Sequence, residues 1–464
     1  MPRHVGRGAA GHRSIPGGVL VVVVASIGLA ALTSGHSDRG LVSVTTDAGR
    51  VVGTSRLAIG VTHAQHSADA WGDPAAVARA RRLLRETATL QNQHVMGFGA
   101  GNPEPSPGRF DWSSLDARVA LMHATDVTPV ITLCCAPDWM KGGWPGQTDW
   151  QRLAVAPAPV HVKDYARLAA AVAQRYPDVK RFQVWNEMKG FWDRSARRWD
   201  AAAYTRLYNA VYDAVKAVRP DAQLGGPYVV LDSWRAGEHK TRATEASGAW
   251  GGFDQRPLDV VRYWLAHAHG ADFIALDGAN GRNKDGWAAG PFAGCDAFAA
   301  AARWLRALGR SGYLLARTLP LVWSEWTAAP SAEHAGLNQS NAIMASCMIT
   351  TLRSGAAAVL IWSPEGDRSG HGFPEALWTS TAHAGGGRPT PWAATQRAFR
   401  TAFPPGTALL ATRVVGGPVD ALASPRHLLL VNRSRVARRV RADGHELRLG
   451  PWGVRLLARG SPGA

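Results

Sequence analysis

Two glutamates close short apolar runs in this chain, in Phe182-Gln-Val-Trp-Asn-Glu187 and Leu321-Val-Trp-Ser-Glu325. A pair of carboxyl groups can break an acetal if one is held protonated and the other stays ionised. The first donates to the leaving oxygen and the second attacks the anomeric carbon. Their environments must then differ, since a raised carboxyl pKa requires desolvation or a like charge nearby. The tryptophans beside both glutamates, Trp185, Trp323 and Trp326, are expected to supply low-dielectric walls. Asn186 can bond a sugar 2-hydroxyl. An Asn-Glu after a strand is common, so the reading rests on the conjunction of both glutamates with the elements that carry them.

Those elements alternate. Strand-like runs fall at Leu57–Val61, Gln93–Phe98, Pro129–Cys134, Phe182–Trp185, Gln223–Val229, Phe273–Leu276, Pro320–Trp323 and Ala357–Trp362, with helical periodicity between them. Tyr204, Leu207, Tyr208, Val211, Tyr212 and Val215 follow helical spacing before Arg219-Pro220, and Val162–Tyr176 does the same. Eight strands alternating with helices predict an α/β fold, a (β/α)8 TIM barrel over 51–405. Functional groups on that fold sit at the C-terminal strand ends, so Glu187 on strand four and Glu325 on strand seven would face each other across the mouth. After Pro404-Pro405 the pattern changes to short alternating runs, which predicts a small β-sandwich-like domain over 406–464.

The chain resembles clan A of the glycoside hydrolases, most closely family 39, over roughly residues 55–405. The resemblance rests on the two glutamate motifs and on Phe110-Asp-Trp-Ser-Ser-Leu-Asp116. Ala136-Pro-Asp-Trp139 and Gly225-Gly-Pro-Tyr228 add to it. It implies a retaining double displacement with Glu187 as acid/base, Glu325 as nucleophile, and neither metal nor cofactor. Two departures stand out. The clan's strand-six Tyr, which orients the nucleophile, is replaced in Ala275-Leu-Asp277-Gly-Ala-Asn280. Its strand-two Arg is replaced in Gln91-Asn-Gln93-His94. Asp277 and His94 are therefore the candidates to take over the orienting role.

Aromatic residues near strand ends suit a sugar cleft, with Trp139, Trp192, Trp326 and Trp362 as candidate substrate-stacking residues and Trp144 and Trp234 beside them. Ordinary packing is the competing explanation, and about half are expected to line the site. Lys189 and Arg235 are candidate hydroxyl or carboxylate binders.

The net charge is +17, but only seven of the 52 basic residues are Lys, and the charge is spread along the chain without a nucleic-acid motif. No nucleic-acid partner is expected, and an anionic cell-envelope polysaccharide suits the charge better. The expected partner is a carbohydrate substrate; a non-catalytic glycan-binding barrel at the cell envelope is the rival reading. Basic residues precede an apolar run from Val19 to Leu32, which has the length of a signal peptide. With Gly17 and Gly18 included, an uncleaved membrane anchor is the alternative. Either way 1–50 reads as leader plus linker, with the rest extracellular or held at the outer face of the cytoplasmic membrane. The four cysteines, Cys134, Cys135, Cys295 and Cys347, make no disulfide framework in a chain this long; the neighbours Cys134 and Cys135, in an apolar run, read first as small buried hydrophobes, with one bridge to Cys295 as the alternative. Gly97-Phe-Gly99-Ala-Gly101 fails as a nucleotide loop because prolines follow where a helix must start. His63-Ala-Gln-His66 has no companions that complete a metal site.

Overall fold

The computed structural model describes residues 40–460, except His66, 284–289, 329–334 and 367–374. Eight parallel strands close into a barrel: β1 (Ala58–Thr62), β2 (Leu90–His94), β3 (Thr128–Leu133), β4 (Arg181–Val184), β5 (Gln223–Trp234), β6 (Phe273–Arg282), β7 (Leu321–Thr327) and β8 (Ala358–Trp362). Each pairs with the next, and β8 returns to β1. The expected (β/α)8 barrel is the fold observed.

Helices cover the outside. Val162–Arg175 turns Tyr165, Leu168 and Val172 inward, and Ala201–Val218 does so with Tyr204, Leu207, Tyr208, Val211 and Val215. Each helix thereby lays one apolar stripe on the sheet, as the sequence spacing requires.

Inside the bore, an apolar layer contains Leu90, Val130, Phe273, Val322 and Leu360. Gly225 leaves the room that Phe273 fills, since a Cβ there would collide with the ring. A second layer is polar and satisfies itself. Asn92 donates to Thr62 and accepts from Thr132, Gln183 donates to Thr132, and Ser324 donates to Gln183. Thr62 closes the ring by donating to the Ser324 carbonyl at 2.7 Å. Buried polar groups are tolerable only when paired in this way.

This polar layer explains one error of register in the sequence reading. Strand two was expected at Gln93–Phe98, but β2 begins at Leu90, because Gln91, Asn92 and Gln93 are buried strand residues despite their polarity.

The domain boundaries also change. Residues 42–50, expected as linker, belong to a 13-residue strand, Val42–Thr54, in the middle of the accessory sheet. That strand runs antiparallel to Ala408–Val415 and parallel to Arg438–Ala442. The accessory unit is one seven-stranded sheet built from both sides of the barrel sequence, not from 406–464 alone. Val42 and Val44 sit in its core with Leu428, Leu430 and Val440. Arg439 and Arg441 lie on its solvated face, paired with Glu446.

The cysteines form two disulfides, Cys134–Cys135 and Cys295–Cys347, in place of the thiols or the single bridge between these pairs that was expected. Among the described residues no helix is long and apolar enough to cross a membrane, and the Val19–Leu32 run lies outside them.

Candidate active site

Irregular backbone at the strand ends builds the mouth. On β7, Leu276 pairs with Trp323 but Asp277 pairs with Glu325, so Ser324 is an extra residue in the ladder. Such a bulge re-aims the side chains after it. Ser324 and Glu325 can then both face the bore, while Trp323 and Trp326 both pack outward on Phe298. On β5, Ala275 pairs with Pro227 and Leu276 with Val229, which leaves Tyr228 unpaired at φ 53°. At the end of β4, Trp185, Glu187 and Met188 all have positive φ, a conformation costly for side-chain-bearing residues.

These distortions converge on one cluster. Glu187, Asp277 and Glu325 each present a carboxylate oxygen, and the three oxygens lie within 4.8 Å of one another. Tyr228 donates to Glu325 Oε1 at 2.7 Å. Lys189 is ion-paired with Glu187. Asn186 lies beside them, 2.8 Å from Nε2 of His94 through its amide nitrogen. Asn186 Oδ1 and His94 Nδ1 are buried without a hydrogen-bond partner in the protein.

The electrostatics follow from burial and crowding. Burial, and then the Glu187 charge, push the Glu325 carboxyl up to about 8, while the Tyr228 hydrogen bond and the Lys189 charge pull the other way. Asp277 is raised well above the usual carboxylate range by burial, then by Glu325 and Glu187. His94 falls to about 3 by burial and the Lys189 charge, so its imidazole stays neutral. Asp277 and Glu325, buried this close together, bind protons as a unit. They are the one group of acidic side chains among the described residues close enough to share a cation, and Lys189 is the positive charge already paired there.

The expected site residues divide. Glu187, Glu325, Asn186, His94 and Asp277 come together. Trp362 is part-buried, and its ring meets Phe98 edge-on at 5.4 Å. Phe98 in turn lies 4.4 Å from His94, which links this wall to the centre. Trp192 is 38% exposed on a hairpin beyond Glu187, edge-on to Trp199 and beneath the Arg256 guanidinium. Trp326 is a correction: it is fully buried, stacked between Phe298 and Trp392, on the helix side of the sheet. Trp139 is another, buried in the core with its indole nitrogen on the Glu104 carbonyl at 2.8 Å. Trp185 likewise packs outward on Tyr165 and Phe191, so the tryptophans flanking the glutamates are core residues and not cleft walls. Trp234 is buried under Lys240, Trp144 is solvent-exposed, and Arg235 is exposed on the loop after β5.

The orienting contact to Glu325 comes from a residue the sequence reading had only as part of a motif. Tyr228 makes it from β5, whereas His94 bonds Asn186 and Asp277 lies in the carboxyl cluster within 4.8 Å of Glu187 and Glu325. The signal was present in Gly225-Gly-Pro-Tyr228, but nothing in it states which way the phenol turns. His63 is a buried structural residue between Ser67 and Gln91, and His66 lies outside the described residues.

No family profile and no curated protein matches the sequence. Solved structures do match. A monomeric β-xylosidase from Caulobacter crescentus CB15 aligns at TM-score 0.57 and 16% identity, over 84% of this chain and 76% of that one. A GH39 enzyme from Xanthomonas axonopodis pv. citri gives TM-score 0.57 and 16% identity, over 84% and 74%. A conserved exported protein from Bacteroides fragilis gives TM-score 0.62 and 12% identity, over 90% and 100%. The fold is that of the family 39 glycosidases. At such identities the likeness is one of architecture, and the chemistry must be argued from the cleft itself.

Proposed function

We propose that this protein is a retaining glycosidase acting on an O-glycosidic bond of an oligo- or polysaccharide. The observation that carries the reading is the meeting of Glu187 and Glu325, from β4 and β7, with oxygens inside 4.8 Å. Retaining enzymes hold their carboxyls roughly 5–5.5 Å apart, and inverting ones need roughly 6.5–9.5 Å to admit a water.

The steps follow from the contacts. Glu325 attacks the anomeric carbon in its ionised form, which burial disfavours below about pH 8 and which the Tyr228 hydrogen bond to Oε1 and the Lys189 charge favour. Glu187 donates its proton to the leaving oxygen, then removes one from the water that hydrolyses the glycosyl–Glu325 ester. Asn186, its amide nitrogen engaged by His94, keeps Oδ1 free to accept from a sugar hydroxyl. Trp362 and Trp192 are the aromatic surfaces left for stacking, since Trp326 and Trp139 are buried elsewhere. The basic N-terminal run and the +17 charge support an exported protein working on envelope polysaccharide.

The test is kinetic. Glu325→Gln is expected to abolish turnover with the fold intact. Glu187→Ala is expected to spare only substrates with dinitrophenol-type leaving groups, which need no acid. Wild-type rates from either variant on the natural glycan refute the assignment.

A further inference from the structure

The segment Gly97-Phe-Gly99-Ala-Gly101, unfit for a nucleotide, forms one side of a pocket of about 500 Å³ at the barrel mouth. That volume falls within the roughly 300–1,000 Å³ of small-ligand sites. We propose that the pocket is a subsite for the sugar unit joined to the non-reducing side of the one being cleaved. The bond cut then lies at least two units from the end of a glycan chain. The proposal deepens the glycosidase reading above and rests on it.

Three loops at the C-terminal strand ends build the pocket. The loop after β1 brings Gln65 and Asp69, the loop after β2 brings Phe98 and its glycines, and the insertion after β3 brings Trp150 and Leu153. Gly97 has φ 78° and exchanges backbone hydrogen bonds with Ala100 at 2.9 and 3.1 Å, so the segment turns back on itself. A Cβ on Gly97 would lie 2.6 Å from a Leu153 methyl, so only glycine lets the insertion close over this loop. Trp150 is 51% exposed, yet its segment is anchored. Asp149 caps the short helix Trp150–Arg152, Asp138 accepts from the Asp149 amide at 2.8 Å, and Lys141 and Arg152 each donate to the other's carbonyl. An indole already held in place loses little freedom when it stacks on a pyranose ring. Gln65 and Asp69 supply donors and acceptors for sugar hydroxyls, and buried Arg118 holds Asp69 in an ion pair at 3.8 Å. An apolar face rimmed by a few polar groups is the chemistry that recognises a neutral sugar.

Continuity with the reaction centre decides which sugar the pocket takes. C1 of the reacting ring lies between Glu187 and Glu325, and its 2-hydroxyl meets Asn186. Asn186 is bonded to His94, the His94 ring lies 4.4 Å from that of Phe98, and Phe98 is the wall shared with the pocket. The ring therefore runs from the carboxyls toward Phe98 with C3 and C4 leading, and a unit joined at either carbon enters the pocket. The leaving unit departs from C1, at the other end.

Binding is measured first. Xylo-, cello- and manno-oligosaccharides of one to four units are titrated calorimetrically into the Glu325→Gln protein. In one series the two-unit member should bind about 10-fold or more tighter than its monosaccharide. Trp150→Ala in the same background should remove that gain without changing Tm, and Trp150→Phe should restore part of it. With Glu325 intact, 4-nitrophenyl glycosides of the same series should show the same length dependence in kcat/KM, the Trp150→Ala loss falling on chains of two or more units. No gain from a second unit in any series, or a gain that Trp150→Ala leaves in place, overturns the proposal. Length-dependent binding through Trp150 without turnover keeps the pocket as a glycan site and defeats the glycosidase reading. Turnover that ignores chain length does the reverse.

Discussion

Replacing Glu325 by Gln should stabilise the protein above neutral pH while destroying its activity. In the folded protein this carboxyl is raised from 4.5 to about 8, chiefly by burial. Between those values the native state holds a proton that the unfolded chain has released, so this group's contribution to stability falls as pH rises through that window. Above about pH 8 the native state carries a buried charge crowded by Glu187 and Asp277. A shift of about 3.5 units at about 1.4 kcal/mol each sets an upper limit of about 5 kcal/mol. Because Glu325 and Asp277 titrate together, about 3 kcal/mol is the figure to expect. Gln keeps the shape and can still accept from Tyr228, so little else changes. An unfolding entropy of about 2.1 cal/mol/K per residue makes each kcal/mol worth about one degree in a barrel of this length. Calorimetry from pH 5 to pH 9 should therefore give similar Tm values at pH 5 and a variant about 3 °C more stable at pH 9. A Tm difference that stays flat across that range would show that Glu325 is not the strained group the burial argument makes it.

Tyr228→Phe removes the hydrogen bond that favours ionised Glu325. The acid limb of kcat/KM should move to higher pH, with a loss of about 10- to 100-fold, as for other hydrogen bonds to charged groups. Breaking the Cys295–Cys347 bridge, which spans 52 residues, should cost about 4 kcal/mol by chain entropy and lower Tm by several degrees, measured with the double serine variant. Trp326→Ala should destabilise by about 3–5 kcal/mol while leaving KM unchanged, since the ring packs between Phe298 and Trp392. A raised KM at unchanged Tm would put that ring in the cleft after all.

Much of the architecture was legible from periodicity because the helices Val162–Arg175 and Ala201–Val218 each bury a single stripe, and most barrel strands are plain apolar runs. The two glutamates were legible for the same reason: a carboxyl ending an apolar strand stands out, and strand order places it at the mouth. β2 was misread because its buried side chains are polar and find their partners on other strands. Val42–Thr54 was misread because only its first residues alternate, the remainder being largely exposed and held by backbone pairing.

Local sequence determined the fold class and which carboxyls stand at strand ends, because both depend on patterns a few residues long. Tertiary structure alone decided the direction of each side chain around them. The extra residue at Ser324 and the unpaired Tyr228 set which residues enter the bore, sending Trp326 to the core and the Tyr228 phenol to Glu325. A bulge is a property of how two strands pair, and that pairing is written in no single segment of the chain.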